Sequence, residues 1–320
     1  MPKNTIIVAD VGGTNTRVAL CNGETLQPET VRRFRNAEFS DLGAVLTTYL
    51  KDHAQVDCSG ACVAVAGPVQ ETSARLTNLD WHIDHAQLTA ATGAQNVAIL
   101  NDLQAQGHAV SQIAADNLRP ISKGAPSKST DSKLVIGVGT GFNIAPVHII
   151  SNGQLVTASE SGHASLPVHT DDDLRLARFV GAKNGFADIE EALSGRGVEN
   201  IYAWLSSEAG SDARPTAAEI FAHVENGSDA MAVEAVKTFA RLLGIVAGDL
   251  ALTHLPFGGI YFSGGVTRAY GPYLADFGFT DAFRAKGRFS DLMERFDVSV
   301  IEDDFAALSG CARHLTSLMR

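Results

Sequence analysis

Two short glycine-rich runs constrain this chain more than anything else in it. Asp10-Val11-Gly12-Gly13-Thr14 and Gly137-Val138-Gly139-Thr140-Gly141 each follow a β-rich apolar stretch and precede another. Glycine at such a junction lets the chain reverse within a few residues, and it lets the backbone come close to a ligand with successive N–H groups turned toward it. The two runs begin 127 residues apart, too far for a solenoid repeat. The echo predicts one hairpin used once in each of two related domains. A chain of 320 residues has room for two domains of about 100–200 residues each. With 45% apolar and 19% charged residues, a globular protein with a sizeable core is expected.

The segments around the runs read as an α/β protein. Thr5 to Ala9 and Arg17 to Cys21 are β-rich on either side of the first turn. Apolar residues at helical spacing predict a helix over about Asp41 to Lys51. Ala61 to Ala66 and Val97 to Leu100 read as buried strands, the first ending at Gly67-Pro68 and the second at Asn101-Asp102, where a helical run toward Ile113 begins. Ser122 to Lys133 is small, polar and broken by Pro and Gly, and is the best linker candidate. Leu134 to Val138 and Asn143 to Ile149 are strands about the second turn. The last third is helix-rich, with its clearest helix over about Ala230 to Leu252, strands at Gly259 to Ser263 and Val298 to Ile301, and a closing helix over Phe305 to Leu318.

A net charge of −11 argues against a nucleic-acid or anionic-membrane surface, which needs clustered Lys and Arg. It does not argue against a phosphate ligand, because backbone N–H groups and a metal ion hold phosphate without a basic surface. There is no GxxxxGK[ST] run, which excludes a P-loop, and no GxGxxG at a strand–helix junction, which counts against a dinucleotide fold. Asp10, at the end of the first strand, is suited to hold a hydrated Mg²⁺ against phosphates. Asp102 has two readings: a helix N-cap, for which Asp is favoured, or a base kept ionised by the helix N-terminus. Cys58 and Cys62 have no second Cys or His pair at zinc spacing, so buried thiols in a reducing compartment are expected. The N-terminal apolar run is too short for a signal-peptide core, and no stretch approaches a membrane span.

Six motifs, taken in order, carry a resemblance over nearly the whole length. DVGGTNTR at Asp10–Arg17, LND at Leu100–Asp102, GVGTG at Gly137–Gly141, SESGH at Ser159–His163, EEALSGRG at Glu190–Gly197 and FSGGV at Phe262–Val266 resemble those of the bacterial glucokinases, in the actin/hexokinase/Hsp70 superfamily. The resemblance implies two ribonuclease-H-like α/β domains with the active site in a cleft between them: a small domain of residues 1–112 plus 304–320 and a large one of 113–303. It implies ATP-dependent transfer of a phosphoryl group to the 6-hydroxyl of glucose, with Mg²⁺, in the cytoplasm, by a homodimer. Asp102 is then the catalytic base, and Asn101, Asp102, Glu160, His163 and Glu190 bind the sugar, with Asn78 supporting that loop. Ala9, Asp10, Val11, Gly12, Gly13, Thr14, Gly139, Thr140, Gly141, Gly264 and Gly265 take the nucleotide, and Asp10 holds the metal through water. Read alone, His163 is a surface histidine, Glu190 a solvated helix residue and Gly264-Gly265 a strand-to-helix turn. Only the motif match singles them out.

Two positions depart from the family pattern: Ser161 stands where Gly is usual, and Arg196 where Pro is frequent. Missing too is the Cys-rich zinc motif of the ROK sugar kinases, which points to the non-ROK branch. Three alternatives follow. A kinase for fructose, mannose or an amino sugar would share every phosphate motif. A sugar sensor on a kinase fold usually carries a helix-turn-helix, for which there is no room before the first strand. An actin-like or chaperone ATPase would not need a sugar cradle. The residues leave the donor open between ATP and polyphosphate.

Overall fold

The computed structural model describes residues 4–320 apart from Ala54, Gln55, Pro68, Glu71, Thr77, Asn78 and Asn152. Pro68 of the predicted turn and Asn78 of the predicted sugar loop therefore lie outside the described residues. The chain divides into two compact units, one of the residues up to Ile113 with Ser151–Ala158 and Asp303–Arg320, the other of Ala114–Ile150 with Ser159–Glu302.

In the first unit, elements numbered along the whole chain are β1 (Thr5–Val11), β2 (Asn15–Asn22), β3 (Thr25–Leu26), β4 (Arg32–Arg35), α1 (Leu42–Asp52), β5 (Gly60–Val65), a small sheet of β6 (Val69–Gln70), β7 (Ser73–Arg75) and β8 (His82–Asp84), α2 (His85–Thr92), β9 (Asn96–Asn101) and α3 (Asp102–Ala109). The main sheet runs β3-β2-β1-β5-β9, with β4 also on β2; β1 pairs antiparallel with β2 and parallel with β5, and β5 parallel with β9. Every residue of β5 is buried, as expected of a parallel strand covered on both faces. The alternation of a strand sorts β1 onto two cores. Ile7, Ala9 and Val11 join Leu42, Val45, Leu46 and Tyr49 of α1 and Leu88 of α2 on one face. Ile6 and Val8 join Leu308, Cys311, Ala312 and Leu315, which return on the terminal helix α11 (Ala306–Leu318), and Ala105 of α3. The same alternation puts Asp10 on the α3 and α11 face.

The second unit repeats the scheme. Its strands β10 (Leu118–Ser122), β11 (Lys133–Val138), β12 (Phe142–Ile150), β14 (Ile260–Ser263) and β15 (Val298–Ile301) lie in the order β10-β15-β14-β11-β12. An antiparallel hairpin, β11 with β12, again leads into parallel neighbours, β14 and β15. Its helices are α4 (Asp171–Asn184), α5 (Gly195–Glu208), α6 (Ala217–Asn226), α7 (Ala230–His254), α8 (Gly265–Leu274), α9 (Phe279–Arg284) and α10 (Ser290–Met293). The core centres on α7, whose Val236, Phe239, Leu243 and Val246 are buried against the sheet residues Ile136, Ile260 and Phe262 and against Phe279 and Phe283. Among the described residues, no helix is long and apolar enough to cross a membrane.

One sequence expectation is corrected. Ser122 to Lys133 is not a linker; it is a packed loop within the second unit. Gly124 donates its N–H to the Asp297 carboxylate at 2.7 Å and Ala125 to the Arg295 carbonyl at 3.1 Å. Glycine serves at position 124 because the backbone there is close-packed against Arg295 and Phe296, while Pro126–Thr130 are exposed. The chain leaves the first unit after Ile113, and it returns for Ser151–Ala158, which carries the short strand β13 (Gly153–Val156). All four cysteines are buried free thiols.

On α3 and α11 the first unit pairs a buried histidine, His108, with the partly buried His314, their ring centroids 4.5 Å apart. The Gln154 side-chain amide of β13 donates to the His108 carbonyl at 2.9 Å and lies 3.3 Å from His108 Nδ1. An amide donor there needs Nδ1 as acceptor, hence a neutral ring. Burial, then the nearby His314 and Arg313, push His108 down to about 3, and burial lowers His314. Below a pH of about 6.5 the unfolded chain takes up a proton that the His108 ring refuses, so stability should fall as pH drops from there toward about 3, by about 1.4 kcal/mol per pH unit, and the lowered His314 acts in the same direction. Replacing His108 by Gln should make the acid limb of Tm against pH shallower than in the parent. An unchanged slope would mean the ring takes up its proton in the folded state.

Candidate active site

The first glycine-rich run is the tight connection between β1 and β2. Gly12 donates its N–H to the Asn15 carbonyl at 3.0 Å, closing the hairpin. A brace absent from the sequence reading holds it: Asn36, 2% exposed. Its side-chain amide donates to the Gly12 carbonyl at 2.8 Å, its backbone N–H to the Thr14 carbonyl at 2.9 Å, and its side-chain oxygen accepts from the Thr16 hydroxyl at 2.8 Å. With these carbonyls tied down, the turn presents N–H groups and the exposed Thr14. A cavity of about 370 Å³ opens over it, lined by Asp10, Gly12, Gly13, Thr14, Asn15, Arg17 and Arg33.

Two carboxylates share this end of the first unit. Asp10, at the penultimate position of β1, accepts from the Arg17 guanidinium on β2 at 3.0 Å, and Arg17 also donates to the Asp304 carbonyl at 2.7 Å. Burial raises the Asp10 carboxyl above the usual range, against the opposing pull of Arg17. Asp102 opens α3. Burial first, and the charge of Asp10 second, push its carboxyl up to about 6, despite a hydrogen bond from the Leu103 N–H at 2.9 Å. One reading is thereby corrected. The N-cap of α3 is Asn101, which accepts from Leu103 and forms a capping box with Gln104, so Asp102 is the first helical residue. A pKa of about 6 leaves Asp102 mainly ionised at neutral pH, although dehydration and a like charge outweigh the helix N-terminus. Asn101 gives its oxygen to the cap and an amide N–H to the Gly67 carbonyl at 3.1 Å, and its side chain also hydrogen-bonds the Asp102 carboxylate, which works against the rise in that group's pKa.

In the second unit, the turn Gly139–Gly141 joins β11 to β12, and two helix N-termini meet it. The Gly195 N–H, at the start of α5, donates to the Gly139 carbonyl at 2.8 Å. Gly264, before α8, sits against Val138 with φ +112°; a Cβ there would lie 2.3 Å from the Val138 carbonyl oxygen. Only glycine allows both that backbone and that approach. Helix N-termini favour anions through oriented N–H groups. The α5 terminus was not singled out from sequence; its signal was Ser194, which caps the helix by accepting from the Gly197 N–H.

The same turn anchors the predicted sugar cradle. Glu190 accepts from the Phe142 N–H at 2.9 Å, and its own N–H donates to the Gly162 carbonyl at 2.9 Å. Gly162 needs to be glycine: a Cβ would lie 2.1 Å from the Phe142 carbonyl oxygen. Glu160 precedes a short 3-10 turn, Ser161–His163. His163 Nδ1 lies 3.2 Å from Asp188, and that hydrogen bond, with the charges of Glu190, Asp188 and Glu160, raises the imidazole above its ordinary value. Glu160, His163 and Glu190 are thus electrostatic neighbours. Two supports escaped the sequence reading. Asp188 orients His163, and Asn143 on β12 reaches the Ser159 carbonyl, the Ser161 N–H at 3.2 Å and Glu160 at 3.4 Å. Of the departures from the family pattern, Ser161 bonds the Ser159 hydroxyl, and Arg196 bridges Glu190 at 3.3 Å and Glu191 at 3.1 Å.

Among the described residues, no group of three or more His, Cys, Asp or Glu could hold a metal ion. The partly exposed Asp10 carboxylate beside the first glycine turn fits a magnesium ion that arrives on phosphates and keeps most of its water, which is how Mg²⁺ is usually held.

Comparison with known proteins agrees in both sequence and fold. A family model described as Glucokinase matches residues 7–318. The glucokinase of Rhizobium meliloti (strain 1021) is 32% identical over 308 residues, covering 96% of this chain and 91% of the relative. That of Marinobacter nauticus is 32% identical over 310 residues, covering 97% and 96%. Among solved structures, a glucokinase from an Antarctic psychrotroph superposes with a TM-score of 0.87 at 29% identity, covering 98% of each chain. The fold is that of the actin-like ATPases. With the family model spanning nearly every residue, and both glycine turns on matching hairpins, the chain belongs to the glucokinase family.

Proposed function

We propose that this protein transfers the γ-phosphoryl group of ATP to the 6-hydroxyl of glucose, giving glucose 6-phosphate and ADP, the first step of glycolysis. The observation that carries the reading is Asp102: a dehydrated carboxylate with its pKa pushed up to about 6, opening a helix beside a phosphate-sized turn. A base works best with a pKa near the operating pH. Asp102 takes the proton of the 6-hydroxyl as its oxygen bonds to the γ-phosphorus, and the bond from that phosphorus to the β–γ bridging oxygen breaks. Ala9, Asp10, Val11, Gly12, Gly13 and Thr14 of the first turn, Gly139, Thr140 and Gly141 of the second, and Gly264 and Gly265 bind the nucleotide. Asn101, Glu160, His163 and Glu190 bind the sugar and orient its 6-hydroxyl. Mg²⁺, when bound, supplies charge neutralisation on the phosphates, and Asp10 would hold it through water. The same reading assigns the enzyme to the cytoplasm as a homodimer with neither nucleic-acid nor membrane partners.

The direct test is a coupled assay over a panel of hexoses with ATP or polyphosphate as donor. Glucose with ATP and Mg²⁺ should give the highest kcat/KM. A folded sample that makes no glucose 6-phosphate would remove the reading, and a preference for fructose, mannose or an amino sugar would reassign the substrate.

Asp102→Asn should move rate and stability in opposite directions. Turnover should fall by about 100- to 10,000-fold, the range for a positioned base. Stability at pH 7.5 should rise by roughly 1–3 kcal/mol, because the folded state no longer holds a dehydrated charge. A residue that mattered only for helix structure would lose stability and keep its rate. In the parent enzyme kcat/KM should fall about tenfold per pH unit below about pH 6, where Asp102 takes up its proton.

Glu160→Gln should raise the KM for glucose by about tenfold while changing that for ATP little, since a sugar hydroxyl loses a charged acceptor. A rise in the KM for ATP alone would take Glu160 out of the sugar cradle.

A further inference from the structure

The pairing of β2 with β4 sets Arg17 directly opposite Arg33. Residues opposite one another in an antiparallel pair emerge on the same face, and like charges there repel. The two arginines are not equivalent. Arg17 is engaged by the Asp10 carboxylate at 3.0 Å and by the Asp304 carbonyl. Arg33 is exposed, and no hydrogen bond or ion pair of its side chain is found among the described residues. Both line the 370 Å³ cavity over the first glycine turn. In a chain of net charge −11, that cavity therefore holds one cation neutralised from within the protein and one that is not.

We infer that Arg33 is a nucleotide-binding residue, whose guanidinium pairs with oxygens of the polyphosphate chain over the Gly12–Thr14 turn; this rests on the nucleotide role proposed for that turn. The chemistry fits the position. A guanidinium offers paired donors in a planar fork that matches two phosphate oxygens, and it cannot lose its charge. A polyphosphate in the cavity would also relieve the repulsion across the β2–β4 ladder, by placing negative charge between two facing cations. Arg35 supplies an internal contrast. It lies two residues along the same face, opposite Asn15, but does not line the cavity.

Isothermal titration of the full-length protein with Mg-ADP and, separately, with glucose tests the assignment. Arg33→Gln should weaken Mg-ADP by about tenfold, the loss of one charge-assisted contact, and leave glucose affinity unchanged. Arg33→Lys should recover part of the loss, Arg35→Gln should bind Mg-ADP like the parent, and the gap between parent and Arg33→Gln should narrow in high salt. Parent-like Mg-ADP binding by Arg33→Gln overturns the inference and leaves the proposed function standing. So does an equal loss for Mg-ADP and glucose, which marks general damage to the unit. A parent protein that binds glucose but no Mg-ADP overturns the nucleotide reading itself, and this inference with it.

Discussion

The first unit is organised around two carboxylates that would each be more stable elsewhere. Asp10 and Asp102 end up at the same edge of the sheet because β1 and β9 are parallel partners of β5, and parallel strands align their C-terminal ends. Period-two alternation turns Asp10 to the face covered by α3 and α11, and the capping of α3 by Asn101 puts Asp102 in its first turn. Dehydration raises both carboxyls, the charge of Asp10 raises Asp102 further, and Arg17 offsets part of the rise for Asp10. Asp10 has a guanidinium beside it that opposes the rise, whereas Asp102 has a like charge that adds to it and brings its carboxyl up to about 6.

In the second unit, one set of supports holds both the glycine turn and the segment proposed to bind the sugar. Its glycine turn is approached by two helix N-termini from one side and by Glu190 from the other. Glu190 ties the turn to the Ser159–His163 segment through Phe142 and Gly162, so the two share a backbone frame. Arg196 adds a bond to Glu190 where the family usually has proline. That pair is half-exposed, and exposed ion pairs contribute little to stability.

What the sequence determined by itself was periodic or local. The strands on both sides of each glycine run, the helix over Leu42–Asp52 and the long helix over Ala230–His254 were legible because apolar spacing reports which face is buried. The two glycine turns were legible because a tight reversal leaves few residue choices. The motifs Leu100–Asp102, Ser159–His163 and Glu190–Gly197 were legible only as an ordered set resembling a family; individually each has a plain surface or capping reading.

Tertiary structure decided everything that depends on partners distant in the chain. Asn36 braces a turn more than twenty residues earlier, Asp188 and Asn143 orient His163 and Glu160, and Arg33 is brought opposite Arg17 by strand pairing. No local pattern marks any of them, since hydrogen bonding between remote segments leaves no periodicity. The raised pKa of Asp102 left no mark in the sequence for the same reason. The helix terminus is visible in sequence, whereas the burial and the neighbouring Asp10 that outweigh it exist only once the sheet has formed. Ser122–Lys133 was misread as a tether because composition reports polarity but not packing, and Gly124 meets Asp297 only across the folded unit.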